Sequence, residues 1–398
     1  MKILLVTSLY PGYKGQPRKE KTYALHYFAK DWLNAGHEVN VFRIWPLYPN
    51  IFKFSLKGKK ASRYKYNESF SLDGVNVNRI TINKIPRVQY SEKEIYKVFK
   101  QSLKSLKEKP DIIVCHLINP SLNISVLLKD FLDIPLVLIL HQVDINKLHN
   151  DKKVYKNFSL IEPFVDRIGF RNTHLMKRYN HIGLPTKKNF IVPSGIDSEL
   201  IISRNNLQKK LTMNEKSIFI AASMIPLKNI DIVIKAFENL CEIHNDVSLK
   251  IGGDGPQKEY LMGLATKSKF PSKIEFLGYL SRESVMEYME KSRIFVMVSS
   301  PETFGLVYLE AMAKGCITIG TEGEGIDGVI NDGENGYLCK SRDISMLTNK
   351  LKLACEIEGE KKRKILISAV NTVSEMTQQK ISSKYLRILN ETISDYKR

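Results

Sequence analysis

Apolar residues follow two alternating rhythms along this chain. Short unbroken runs, Ile3-Leu4-Leu5-Val6, Ile112-Ile113-Val114-Cys115 and Leu136-Val137-Leu138-Ile139-Leu140, predict strands buried on both faces. Val39-Asn40-Val41-Phe42 and Val75-Asn76-Val77 add two more. Between them apolar residues recur every three or four positions, which predicts helices near 20–35, 91–107 and 121–131. The alternation restarts after Val192-Pro193-Ser194-Gly195. It then predicts strands at 217–222, 247–251, 274–277, 294–298 and 316–319, with helices near 229–243, 256–267, 283–290 and 304–314. A last helical pattern runs over 376–396 through Met376, Ile381, Tyr385 and Leu389. Strands joined by helices predict parallel, doubly wound sheets. The chain therefore divides into an α/β domain over 1–192, a second over 193–375 and a terminal helix at 376–398.

Length agrees, because 398 residues exceed one ordinary core and suit two domains of roughly 190 residues. No apolar run approaches the ~18 to 20 residues of a spanning helix. The opening Met1 to Gly12 reads as a buried strand and turn rather than a signal peptide. Five scattered cysteines, mostly inside apolar runs, fit a reducing cytoplasm without a disulfide framework or zinc site. Charge divides unevenly: residues 1–190 hold 33 Lys+Arg against 15 Asp+Glu, net +18, whereas the rest is net +1. Within the basic half, Phe52 to Tyr66 interleaves six cations with aromatics and has no acid. Such a segment suits an anionic membrane surface or a solvated loop. Nucleic acid is not expected, since no recognition motif accompanies the charge.

Candidate chemistry concentrates after the strand at 294–298. Glu302-Thr303-Phe304-Gly305-Leu306-Val307-Tyr308-Leu309-Glu310 sets two carboxylates eight residues apart across an expected helix start, with a Gly cap at Gly315 and a strand after it. Two Glu at that spacing can also be a solvated helix face. A helix N-terminus, however, offers unpaired N–H groups and a positive dipole end to phosphate. The segment resembles the Glu-x7-Glu signature of retaining glycosyltransferases of the GT-B fold, family 4.

Other stretches carry the same resemblance. Ala222-Ser223-Met224-Ile225-Pro226-Leu227-Lys228 sits where such proteins hold the donor diphosphate, with Ser223 in place of their usual Arg and Lys228 as the retained cation. Gly253-Asp254-Gly255-Pro256 is similar to a family turn, with Pro256 expected at the first helical position. As a dinucleotide fingerprint it fails, because Lys258 stands where the third glycine belongs. Gly278-Tyr279-Leu280-Ser281 resembles the stretch that cradles the nucleotide base. His141-Gln142-Val143-Asp144 resembles the turn whose His faces donor and acceptor, and His116 is a weaker candidate for lining. Gly12-Tyr13-Lys14-Gly15 occupies the place of the family's glycine-rich loop.

What the resemblance implies is a GT-B architecture: two Rossmann-like domains facing across a cleft, acceptor on the first and sugar nucleotide on the second, with the terminal helix crossing back to the first domain. It implies a retaining transfer of sugar from a nucleoside diphosphate to an acceptor hydroxyl, in bacterial cell-surface polysaccharide or glycolipid synthesis. Glu302, His141 and Lys228 would be catalytic. Glu310, Phe304, Gly305, Leu306, Ser223, Gly12, Gly15 and Tyr279 would bind substrate. No cofactor or metal is expected, since no Asp-x-Asp occurs. The partners implied are the sugar nucleotide, a lipid-linked saccharide acceptor and an anionic membrane surface, the protein being cytoplasmic and peripheral. Another GT-B sugar-nucleotide enzyme, such as an epimerase or phosphorylase, and a non-catalytic nucleotide-binding module are the alternatives.

Overall fold

In the computed structural model, which describes residues 1–16, 23–49, 51, 66–184 and 188–398, the first apolar runs become the centre of an eight-stranded sheet. Its strands are β1 (Lys2–Thr7), β2 (Glu38–Leu47), β3 (Glu68–Leu72), β4 (Val75–Asn83), β5 (Ile112–His116), β6 (Leu136–Leu140), β7 (Arg167–Phe170) and β8 (Lys188–Ile191). They lie in the order β3-β4-β2-β1-β5-β6-β7-β8. All pairings are parallel except β3 with β4. Burial on both faces explains the unbroken apolar runs of β5 and β6, every residue of which is buried. The order reverses between β1 and β5, so the loops after these two strands meet at a switch point, where ligands of such sheets bind.

Six more strands form a second sheet: β9 (Lys216–Ala221), β10 (Val247–Gly252), β11 (Ile274–Gly278), β12 (Ile294–Val296), β13 (Ile317–Thr321) and β14 (Tyr337–Cys339), in the order β11-β10-β9-β12-β13-β14. All its pairings are parallel. Its core gathers Ile218 and Ile220 of β9, Leu249 and Ile251 of β10 and the buried face of the helix Ile230–Cys241. Here the switch point falls between β9 and β12. The loops after them carry Lys228 and Glu302.

The chain forms two compact units, one of Met1–Arg171, Leu175–Val192 and Ser382–Arg398, the other of Asn172–His174 and Pro193–Ile381. The terminal helix Gln378–Tyr396 thus supplies most of its length to the first unit. Tyr385 is fully buried there among Trp32, Phe28 and Phe190, with ring centroids 5.1, 5.6 and 6.0 Å away. Arg167 of β7 pairs with Glu391 at 3.1 Å and Asp395 at 2.8 Å. Hydrogen bonds from Lys188 and Arg167 draw the Asp395 carboxyl down to about 2.

Three local expectations change. The helix expected from 304 begins at Leu306, because Gly305 adopts φ +74 and interrupts it. The helix expected from Pro256 begins at Lys258, two residues on, since Gly255 at φ +155 leaves Pro256 in a turn. The apolar run 294–298 is strand only to Val296. Apart from Tyr66, the basic stretch Phe52 to Tyr66 lies outside the described residues.

Candidate functional site

Where β12 ends, Ser299 to Gly305 cross the switch point of the second sheet. Glu302 lies in this stretch, and its Oε2 accepts from Lys228 Nζ at 2.6 Å and from Ser299 Oγ at 3.1 Å. Both side chains of the ion pair are largely buried, Lys228 18% exposed and Glu302 15%. The backbone sets this contact up: Ser300 N–H donates to Leu227 C=O at 2.9 Å, and Asn229, in the left-handed region at φ +48, donates its amide to Val298 C=O at 2.8 Å. These bonds fix the loop after β9 to the loop after β12. Lys228 and Glu302, 74 residues apart in sequence, are neighbours as a result.

A second carboxylate holds the Glu302 backbone. Glu324 accepts from the Glu302 N–H and the Ser300 hydroxyl, each at 2.7 Å, through its two oxygens. Next to it Gly325 N–H donates to Glu302 C=O at 3.0 Å. A Cβ on Gly325 would stand 2.2 Å from Thr303 O, so only glycine permits this approach. Asn172 completes the frame by donating to Thr303 C=O at 2.7 Å. Sequence reasoning gave no role to Glu324, Gly325 or Asn172. The one signal is that Gly323 to Leu338 resembles the family's turn-rich stretch after the signature helix.

Beyond Gly305 the helix Leu306–Ala313 has no side-chain cap at its N-terminus. That leaves its first backbone N–H groups without a capping side chain, as an anion-binding helix start requires. The Tyr308 ring occupies the space where a Gly305 side chain would go, at 2.5 Å, and its hydroxyl donates to Met297 C=O at 2.8 Å. Phe304 is buried in the same apolar cluster as Tyr308, Leu309 and Ile326. Its side chain is therefore core, and only its backbone is available for a ligand. Leu306 is 37% exposed. Glu310, one turn further along, is bound at 3.0 Å by Arg282, a residue the motif analysis did not single out.

The remaining expected residues of this unit surround the same sheet edge. Ser223 is exposed on the turn after β9, and its C=O accepts from Ile225 N–H at 2.9 Å. Tyr279 is 83% exposed just after Gly278, which is left-handed at φ +69. The glycines of Gly253-Asp254-Gly255 lie against the Ser223 loop: Cβ atoms there would meet Ala222 O at 1.9 Å and Met224 O at 2.6 Å. Met224 N–H donates to Asp254 C=O at 2.9 Å. This turn braces the loop before Lys228, which is the structural reading of its sequence.

In the first unit His141 follows β6 and begins the helix Gln142–Asn150. Its ring nitrogen Nε2 lies 3.0 Å from Nδ1 of His116, the last residue of β5. Burial first, then the neighbouring His141 and Arg171, holds the His116 imidazole well below its ordinary range and keeps it neutral. The buried Asp144 accepts from the backbone N–H groups of His141 at 3.0 Å and Ile118 at 3.1 Å. Burial nevertheless pushes its carboxyl up to about 6. His116, weaker by sequence, is thus a direct partner of His141. The Gly12 N–H donates to Gln16 Oε1 and its C=O accepts from Arg79, both at 2.8 Å. A Cβ there would fall 2.1 Å from the Trp45 ring, so Gly12 serves packing and its donor is committed internally. Gly15, at φ +76, has open space where a side chain would be.

Among the described residues no cluster of three or more His, Cys, Asp or Glu is placed to hold a metal ion. Nor is any helix long and apolar enough to cross a membrane.

The family described as glycosyl transferases group 1 matches residues 203–372. N-acetyl-alpha-D-glucosaminyl L-malate synthase of Bacillus anthracis is 25% identical over 386 residues, 92% of this chain and 93% of its own. An uncharacterized glycosyltransferase of Methanocaldococcus jannaschii is 28% identical over 260 residues, 64% of this chain and 68% of its own. Anabaena HepE in complex with UDP superimposes with a TM-score of 0.70 at 18% identity, over 98% of this chain and 100% of that one. Sucrose-phosphate synthase of Thermosynechococcus elongatus gives 0.66 at 14%, over 99% of both. Residues 203–372 thus match the family described as glycosyl transferases group 1, and the two parallel α/β units have the GT-B fold of the solved structures they resemble.

Proposed function

We propose that the protein is a retaining glycosyltransferase that moves a sugar from a nucleoside diphosphate to an acceptor hydroxyl with an α-linkage, in cell-surface polysaccharide or glycolipid synthesis. The observation that carries this reading is the Lys228–Glu302 pair beside the uncapped helix Leu306–Ala313. A diphosphate arriving there would draw Lys228 away from Glu302 and take hydrogen bonds from the helix start. Released from Lys228, Glu302 is an acceptor for donor-sugar hydroxyls, and Glu310 for those of the ribose. HepE in complex with UDP and with UDP-glucose supports a nucleotide-sugar donor for this fold.

In the proposed reaction the acceptor oxygen bonds to the anomeric carbon as the bond from that carbon to the diphosphate oxygen breaks. The acceptor proton passes to the departing diphosphate on the same face. The protein's share is positioning and charge: Lys228 and the helix N–H groups stabilise the diphosphate as its charge grows. The five buried free cysteines suit work in a reducing cytoplasm. The test is incubation with a panel of UDP-, GDP- and ADP-sugars and candidate acceptors, with the anomeric configuration of any product read by NMR. A β-linked product would overturn retention. Nucleotide binding without turnover across the panel would favour a binding module.

A further inference from the structure

Three glutamates stand around the switch point of the second sheet, and their charges are met differently. Glu302 is paired with Lys228, and Glu310 with Arg282. Glu324, half-buried on the turn after β13, takes its hydrogen bonds from neutral groups, the Ser300 hydroxyl and the Glu302 N–H. Bonds of that kind hold a carboxylate in place without cancelling its charge. Asp327 lies on the same turn, its Oδ2 accepting from the Gly323 N–H at 2.6 Å. Among the described residues neither Glu324 nor Asp327 forms an ion pair with a Lys or Arg.

This uncompensated charge adjoins the sugar side of the proposed donor site. Glu324 Oε2 is 2.7 Å from the backbone nitrogen of Glu302, the residue whose carboxylate is assigned to donor-sugar hydroxyls. Lys228 offsets Glu302, and it is also the cation that a diphosphate would claim. Once Lys228 turns to phosphate, Glu302 is left as uncompensated as Glu324. Hydroxyl groups donate to carboxylates, so a neutral sugar matches the pair. A sugar bearing its own carboxylate meets like charge, the kind of contact by which a site rejects the wrong partner.

We propose that Glu324 sets the charge class of the donor: the transferred sugar is neutral, a hexose or an N-acetylhexosamine, and uronic acid donors are rejected. This rests on the donor site proposed above, in which Glu302 binds sugar hydroxyls. The competing account is a purely structural Glu324, since the same two hydrogen bonds brace the Glu302 loop. Charge separates the two accounts. In Glu324→Gln the amide oxygen still accepts from the Glu302 N–H, and the amide NH2 donates to Ser300, whose hydroxyl serves as either donor or acceptor. The brace survives the substitution and the charge does not.

Calorimetry on the whole chain with UDP, UDP-glucose and UDP-glucuronate tests this, because the two sugars differ only in a CH2OH or a carboxylate at one carbon. The net charge of +19 on the chain would by itself favour the more anionic ligand, so the opposite order reports the local carboxylates. Wild type should bind UDP-glucose roughly tenfold or more tightly than UDP-glucuronate, and Glu324→Gln should bring that ratio to about threefold or less. A structural role alone would weaken both ligands together and leave their ratio as it was. Equal binding of the two by wild type, or a ratio unmoved by Glu324→Gln, would overturn the proposal while UDP binding upheld the donor site. If UDP itself fails to bind wild type, the donor site falls and this proposal with it.

Discussion

Lys228 Nζ and Glu302 Oε2 lie 2.6 Å apart, each side chain less than a fifth exposed, at the point where two sheet loops are tied together by backbone hydrogen bonds. An ion pair so placed neutralises both partners while no diphosphate is present. It also makes the roles of the two residues separable. Lys228→Ala should weaken UDP binding by a factor of roughly ten to a hundred, the worth of a charge-assisted hydrogen bond. Glu302→Gln, which keeps shape and loses charge, should chiefly slow transfer. Titration with UDP alongside turnover would decide, and normal turnover by both variants would mean that the pair is structural.

Arg282 and Glu310 form a looser pair, because Arg282 is 53% exposed while Glu310 is 14% exposed. Exposed pairs contribute about 1 kcal/mol or less. Arg282→Ala should therefore change UDP affinity by less than about fivefold, whereas Glu310→Ala should weaken it further by removing the ribose acceptor. Equal losses in the two variants would show that Arg282 itself touches nucleotide.

Gly325→Ala tests the frame around Glu302 rather than its chemistry. The added methyl would stand 2.2 Å from Thr303 O and 2.4 Å from Phe304 N. Because both atoms are backbone, relief requires moving the Glu302 loop, at a cost of about 1 to 3 kcal/mol. A lowered melting temperature should accompany a loss of transfer. Unchanged values of both would place the loop elsewhere.

His116 gives a pH dependence whose sign follows from its burial. Its folded-state value lies well below the ordinary 6.5, so the unfolded chain binds the proton more readily. Stability from this group is full above about 6.5 and falls as pH drops below it. Asp144 acts oppositely: with its value raised from 3.8 to about 6, it favours the folded state below that window and loses the advantage as pH rises through it. Melting curves between pH 8 and 5.5 (roughly the range in which histidine titrates) should show wild type losing stability toward acid and His116→Gln losing less. Parallel curves would remove His116 as the cause.

Charge on the departing diphosphate is met in this proposal by Lys228 and a helix N-terminus. A chelator should then leave transfer largely intact. An absolute requirement for an added divalent cation would count against it.

Much of this was legible in the sequence because the determinants are local. The unbroken runs of β5 and β6 and the helical spacing of Ile230–Cys241 report burial within a few residues, and the Glu302–Glu310 spacing survives folding unchanged. What escaped depends on partners far along the chain. Glu324 reaches Glu302 across 22 residues, Arg282 reaches Glu310 across 28, and neither differs in type from a solvated charge. β7, with the sequence RIGF, and β8, with KNFI, are four residues each and begin on cations, too short to show a period. Gly12 shows the same limit, since its close neighbour, the Trp45 ring, lies 33 positions away.

The first unit is discontinuous, its opening 171 residues joined by a helix that begins to contribute at Ser382. During synthesis Phe28 and Trp32 are therefore made long before Tyr385, the ring that packs against both. The second unit, whose span Pro193–Ile381 emerges earlier, has almost all its own parts before the first can close. The unit whose residues are made first is thus the last to have all of them.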